Sequence, residues 1–157
     1  MFEQALQTKE WREQRDLEGR SDDEIKGRRL AAILLVTNVV VGTGVSLLVT
    51  GSMQSLALFV TPVLAFYLYK LRPRAENLVT ALTIISAVLA PVICFAKYPL
   101  LTALALSVEN WGVTGPLLLL LLGVPSPARR LTAVAIFVVV TGSLSLLALA
   151  AHFANPS

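Results

Sequence analysis

One acidic residue, Glu109, lies in the middle of a long apolar stretch of the sequence and is the first candidate for chemistry. Residues 100–108 are apolar or small, and residues 117–122 are six consecutive leucines. A helix that begins after Pro99 places Glu109 about 15 Å along its axis, near the middle of a hydrocarbon core about 30 Å thick. A carboxylate at that depth is energetically costly, so an intramembrane acid is a candidate functional site.

The residues around this acid allow two interpretations. In the first, the glycines and the proline that follow it break the helix, and the carboxyl group binds and releases a proton or another ion during transport. In the second, the carboxyl group is a structural hydrogen-bond partner of Asn38, which lies at comparable depth on another helix, or of a Ser or Thr on a neighbouring span. A single acid without a second carboxylate is weak support for ion coupling, so the structural interpretation is preferred. The predicted polar site is Glu109, Asn110 and Asn38, with a helix break at Gly112, Gly115 and Pro116.

The composition indicates a membrane protein. Of the 157 residues, 55% are hydrophobic and only 15% are charged, whereas about 25% are charged in soluble proteins. The charges are segregated, because residues 1–29 hold seven basic and eight acidic residues, whereas residues 30–157 hold six basic and two acidic ones. The net charge of +3 therefore reflects a basic membrane body and not an affinity for nucleic acid.

Five apolar stretches separated by short polar or proline-containing segments predict an all-α, polytopic membrane helix bundle. Residues 1–27 form a polar head with a short cytosolic helix, and residues 28–157 form the transmembrane bundle. A turn at Gly19 and a capping box that begins at Ser21 predict that a new helix starts near Asp22 and continues into the first span. The five predicted transmembrane helices are 30–50, 56–71, 78–95, 100–124 and 131–153.

The distribution of basic residues predicts the orientation of the spans. Seven basic residues precede the first span, three lie at 70–74 and two at 129–130, whereas the opposite loops contain only Lys97. The positive-inside rule therefore places the N-terminus and both basic loops in the cytoplasm and the C-terminus outside. A rival topology with four spans makes residues 107–115 an external loop, but it leaves Lys97 inside the membrane and is disfavoured.

Small residues at four-residue spacing predict where helices approach one another. Gly42 and Ser46 share a face of the first span, and Thr141 and Ser145 share a face of the fifth. Such pairs let helix backbones come close together in a membrane. We interpret these four residues as helix-packing positions rather than as part of a transport pathway.

The residue types argue against an enzyme. His152 is the only histidine and Cys94 the only cysteine, so the known metal-binding spacings and an intramolecular disulfide are excluded. The sequence also contains no glycine-rich phosphate loop. We predict no catalytic residues, no metal and no cofactor.

These observations predict a small multi-pass protein of the cell (plasma) membrane that is not an enzyme. The preferred function is a non-catalytic subunit or interaction module of a membrane complex. Its expected partners are the lipid bilayer and either further copies of the chain, in a homo-oligomer, or other membrane-protein subunits, with no nucleic acid. The alternative is a small proton- or ion-coupled transporter or channel that uses the intramembrane carboxylate.

Overall fold

Five α-helices make up most of the chain that the structure describes. The computed structural model describes residues 19–50 and 55–154, so the helix predicted in the polar head lies outside the described residues. In chain order the helices are α1, Asp22–Thr50; α2, Ser55–Tyr69; α3, Pro73–Lys97; α4, Leu100–Leu121; and α5, Pro127–Ala154.

The helix lengths bear directly on the predicted spans. Four helices, α1, α3, α4 and α5, are long and apolar enough to cross a membrane, which confirms the predicted all-helical fold and supports the prediction of a membrane protein. α2 has 15 residues and is about 22 Å long at 1.5 Å per residue, shorter than a typical hydrocarbon core. Length and hydropathy thus support four membrane crossings.

Serine caps explain where two of the helices begin. The Ser21 hydroxyl accepts a hydrogen bond from the Glu24 N–H at 3.2 Å, which confirms the predicted helix start. Ser126 caps α5 in the same way, through the Arg129 N–H at 3.3 Å. Pro127 occupies the first position of α5, where its missing N–H is not needed. The fifth helix therefore begins four residues before the predicted boundary.

Left-handed residues follow the ends of α2 and α4. Leu71 has a φ of 58° and Gly123 a φ of 76°. The Arg72 N–H donates to the Tyr67 carbonyl at 3.1 Å, and the Leu71 N–H donates to the Leu68 carbonyl at 2.9 Å, which is the Schellman arrangement. The left-handed conformation costs about 1 kcal/mol for a residue other than glycine. Burial of the Leu71 side chain, which is only 1% exposed, offsets that cost.

Ion pairs show that α1, α3 and α5 all begin at the same end of the bundle. Arg28 near the start of α1 contacts Glu76 near the start of α3, and Arg130 near the start of α5 contacts Asp23 of α1. We call this end, where α2 and α4 also finish, the basic end. The two predicted basic loops therefore share one end with the start of α1.

The main hydrophobic core cluster occupies the half of the bundle nearest the basic end. α4 is the central helix and packs against α1, α3 and α5. In the other half, which we call the open half, large side chains such as Leu101 and Leu146 are 81% and 69% exposed. The buried core residues are Ala31, Ala32, Leu34, Ala65, Leu68, Val79, Leu117, Leu120, Leu121, Ala133 and Phe137.

The predicted break in the fourth helix is wrong. α4 continues without interruption through Gly112, Gly115 and Pro116 and ends at Leu121 rather than at residue 124. A proline inside a transmembrane helix is tolerated where neighbouring helices pack around it, and Pro116 is almost fully buried. The continuous helix also excludes the four-span topology in which residues 107–115 form an external loop.

Gly112 is a contact point between two helices rather than a helix breaker. A Cβ atom built on Gly112 would lie 2.7 Å from the Val140 Cβ of α5, whereas one built on Gly115 would meet no atom within 4 Å. The α4 backbone therefore approaches α5 so closely at Gly112 that no side chain fits. Small residues of this kind let membrane helices pack.

The substitution Gly112→Ala should lower the stability of the bundle. The new methyl group overlaps Val140, and overpacking of this kind costs about 1–3 kcal/mol. Gly115→Ala on the same helix is the matched control and should be neutral or stabilising, because alanine is preferred to glycine in helices by about 1 kcal/mol. Thermal unfolding in detergent measures both variants. Val140→Gly removes the overlapping Cβ atom, so adding it to Gly112→Ala should cost less than the two single changes summed. Equal melting temperatures for Gly112→Ala and Gly115→Ala would contradict the close contact.

Candidate functional site

Glu109 lies where the packed half of the bundle meets the open half, and it borders two cavities. The first cavity has a volume of about 490 Å³ and is lined by residues of α1, α2, α3 and α4. The second has a volume of about 440 Å³ and is lined by residues of α1, α4 and α5. Asn38, Leu106 and Glu109 line both cavities. The acid predicted from the sequence as the centre of the site therefore faces open space on both sides of the contact between α1 and α4.

Glu109 and Asn38 come together, as their predicted depths require, but they do not pair. Both line the same two cavities. Within residues 19–50 and 55–154, neither side chain makes a hydrogen bond or an ion pair. The hydrogen bond predicted between them is not formed, and the carboxyl group is left without a partner in the described part of the chain.

Asn110, the next residue along α4, has a different role. The Ser86 hydroxyl donates to Asn110 Oδ1 at 3.0 Å, and Asn110 Nδ2 donates to the Ser86 carbonyl at 3.1 Å. Trp111 Nε1 donates to the Ala87 carbonyl at 2.9 Å. These three bonds fix α4 against α3 at the level of Glu109. Asn110 is therefore a structural link between two helices, whereas Glu109 is available to a group that enters the cavities.

The four predicted packing residues line the second cavity. Gly42 and Ser46 belong to its α1 wall, and Thr141 and Ser145 belong to its α5 wall. A Cβ atom built on Gly42 would meet nothing within 4 Å, so Gly42 does not provide the close helix contact that its spacing predicted. Within the described residues, the Thr141 hydroxyl oxygen is buried without a hydrogen-bond partner. The small residues thus create space beside the acid.

The site suits hydrogen bonding more than metal binding. Among the described residues, no group of three or more His, Cys, Asp or Glu side chains could hold a metal ion. A single carboxyl group beside an amide and hydroxyl groups can accept a hydrogen bond or pair with a cation that enters from outside. In an apolar surrounding such a polar group is costly to leave unpaired. The geometry therefore favours an incoming donor.

A second polar site, at the basic end, was not predicted from the sequence. Arg28 donates from Nε to Glu76 Oε1 at 2.6 Å, and Arg20 donates to Glu76 Oε2 at 2.7 Å. Arg28 also donates to the carbonyl of Leu120 and, at 3.2 Å, to the carbonyl of Gly123. The Arg28 side chain is only 6% exposed. One guanidinium group therefore joins α1, α3 and the end of α4.

Close backbone packing accompanies this cluster. A Cβ atom built on Gly27 would overlap the ring of Pro125, which is almost fully buried. Glycine next to Arg28 lets α1 lie against the segment that joins α4 to α5. The available sequence signal was Glu76, the only acid besides Glu109 after residue 29, but its partner could not be identified without the helix arrangement.

The substitution Glu76→Gln should destabilise the bundle strongly. It removes the anionic partner of a nearly buried arginine, and loss of one member of a buried ion pair costs about 3 kcal/mol. Asp22→Asn is the matched control at the same end, because the Asp22 and Lys26 side chains are 77% and 58% exposed. Its effect on stability should be much smaller, because water screens an exposed ion pair. The melting temperatures of the two variants are compared by thermal unfolding. Similar values would show that the ion pairs of Glu76 do not hold the bundle together.

Comparison with known proteins adds no assignment to either site. Neither protein-family models, curated proteins nor solved structures gave a match to this chain. The roles of Glu109 and Arg28 therefore rest on the geometry of the described residues, in which an acid without a partner lies between two cavities and four helices are long and apolar enough to span a membrane.

Proposed function

We propose that the chain is a non-catalytic membrane subunit whose open half binds a transmembrane segment of another polypeptide. The observation that carries this proposal is the pair of cavities that meet at Glu109, a carboxyl group with no partner in the described part of the chain. A hydrogen-bond donor on the incoming segment would pair with Glu109. Polar groups within the membrane-spanning part of helix bundles usually pair with neighbouring helices in this way.

The surface beside the cavities supports a helical partner. Gly42, Gly44 and Gly142 all have open space where a side chain would lie. Faces with small residues let a second helix approach closely when it is present. The large exposed side chains of the open half are compatible with either lipid or protein neighbours.

The residue types limit what a second copy of the chain can supply. Between residues 31 and 157, every Lys and Arg lies near a helix end, at 70–74, 97 or 129–130. A second copy therefore offers hydroxyl and amide groups at the depth of Glu109, but no cation. A charged donor at that depth would have to come from a different protein.

We further propose that all five helices cross the membrane, with the N-terminus in the cytoplasm and the C-terminus outside. α1 and α3 begin at the same end, so a chain that crosses along α1 has to return along α2 before α3 starts. The excess of basic residues at this end supports a cytoplasmic location.

Cysteine labelling in a Cys94→Ser background tests this topology. Cysteines at Gln54 and Asn155 should react with an impermeant reagent added outside intact cells, because the proposed topology puts both positions outside. Cysteines at Arg74 and Ser126 should react only after the membrane is opened. Reaction of Gln54→Cys and Arg74→Cys from the same side would overturn the crossing of α2.

A second candidate function is proton- or ion-coupled transport. Its support is that Glu109 borders two separate cavities on either side of the contact between α1 and α4, so the carboxyl group could exchange an ion between them. Glu76 is the one other acid in residues 30–157, and it pairs with Arg28 at the basic end, so transport is the weaker candidate.

Variants at Glu109 distinguish the two functions. Glu109→Leu should reduce recovery of the oligomer or partner complex in mild detergent, because the donor of the partner is left unpaired. Glu109→Gln keeps size and hydrogen-bonding capacity but cannot ionise, and it should retain most of the complex, because intramembrane hydrogen bonds average only about 0.6 kcal/mol. Leu78→Ala, at an exposed position near the start of α3 and outside the open half, is the control and should match the wild type.

Two outcomes decide against the preferred function. Equal complex recovery for Glu109→Leu and the wild type would remove Glu109 from the interface. The wild type could instead carry an ion flux in liposomes that depends on pH. Loss of this flux in a folded Glu109→Gln variant would favour transport. A wild type that carries no flux under an ion gradient would eliminate the transport candidate.

A further inference from the structure

A groove between the first turns of α1 and α5 combines basic side chains with an apolar floor. It has a volume of about 530 Å³ and lies on the outside of the bundle at the basic end. Its rim carries Lys26, Arg29 and Arg130, and Tyr69 from the end of α2 lies beside them. The floor is formed by Leu30, Ile33, Leu131 and Val134.

The groove has more basic than acidic groups at its rim. Lys26 pairs with Asp22 at 2.5 Å and Arg130 pairs with Asp23 at 2.8 Å. Arg29 is exposed and makes no ion pair within the described residues; its guanidinium group lies 5.3 Å from the centre of the Tyr69 ring. Among the described residues, the rim therefore keeps one positive charge without an ion-pair partner, that of Arg29. The cation–π contact with Tyr69 holds this guanidinium group at the mouth of the groove.

The order of the side chains along both helices matches the order of chemical groups in a phospholipid. On α1, Ile33 is one turn beyond Arg29, and on α5, Val134 is one turn beyond Arg130. In each case the apolar residue lies about 6 Å deeper along the helix than the basic one. A phosphate at the rim would therefore have its acyl chain directed along the apolar floor.

We infer that this groove binds one anionic phospholipid, with its phosphate on Arg29 and Lys26 and an acyl chain on Ile33 and Val134. The planar guanidinium group of Arg29 can donate two parallel hydrogen bonds to a phosphate. Basic pockets between membrane helices are suited to such headgroups. A free phosphate ion would use the rim but not the floor, so the apolar half of the groove favours the lipid. Glu109 takes no part in this site, so the inference stands or falls independently of the proposed function.

The test measures lipid binding to the full chain purified in detergent. Native mass spectrometry titrated with phosphatidylglycerol should show one saturable lipid, and phosphatidylcholine at the same concentrations should show none. Arg29→Gln should weaken phosphatidylglycerol binding about tenfold, because hydrogen bonds to a charged group are lost. Arg74→Gln removes one exposed positive charge at the same end but outside the groove, and it should change the affinity by less than about twofold.

Three outcomes would overturn the inference. Equal weakening by Arg29→Gln and Arg74→Gln would mean that attraction is spread over the basic end. Equal binding of phosphatidylcholine would remove the requirement for a net negative headgroup. Complete competition by millimolar inorganic phosphate would assign the rim to a free anion. Ile33→Ser, at an exposed floor position, gives an independent check, since it should weaken lipid binding without changing the charge.

Discussion

The packed half of this bundle depends on the hydrogen bonds of one arginine. The last carbonyl groups of a helix have no partner within the helix. Arg28 donates to one such group, at Leu120, and to the carbonyl of Gly123 just beyond the helix, while its Nε pairs with Glu76. A positive charge at this place also interacts favourably with the negative end of the α4 dipole. The same guanidinium group thus satisfies polar groups of three helices that a largely apolar sequence could not satisfy otherwise. It also fixes which ends of α1, α3 and α4 lie together.

The contacts of Arg28 explain why side chains pack closely in one half of the bundle and leave cavities in the other. The core side chains lie within a few turns of the basic end, where ion pairs and short connections hold the helices together. Farther along, α1, α4 and α5 separate around small residues, and the cavities beside Glu109 result. Stability and binding capacity are therefore located in different halves of the same helices. A change in the open half can alter binding without dismantling the core.

The sequence predicted the helices well because length, hydropathy and charge are local properties. All five predicted spans correspond to helices, and the start of α1 followed from the Ser21 cap. The central acid was also found, because an isolated carboxylate stands out in apolar sequence. The role of Gly112 was missed because it depends on Val140, 28 positions away, and nothing local shows which helix lies opposite. The Arg28–Glu76 pair was missed for the same reason. Pro116 was predicted to break α4 because its effect in an isolated helix is strong, whereas packing around it preserves the helix.

The short α2 helix has a consequence for the surrounding lipid. Its 15 residues cover about 22 Å, whereas the neighbouring α1 and α3 exceed the thickness of a typical hydrocarbon core of about 30 Å. With α2 crossing the bilayer as proposed, the protein presents unequal hydrophobic lengths on different flanks. The bilayer next to α2 has to become thinner, and this deformation costs a fraction of a kcal/mol for each Å of hydrophobic mismatch. The protein would accordingly partition toward thinner regions of membrane and associate there through its α2 flank, because sharing a thinned zone reduces the deformed area.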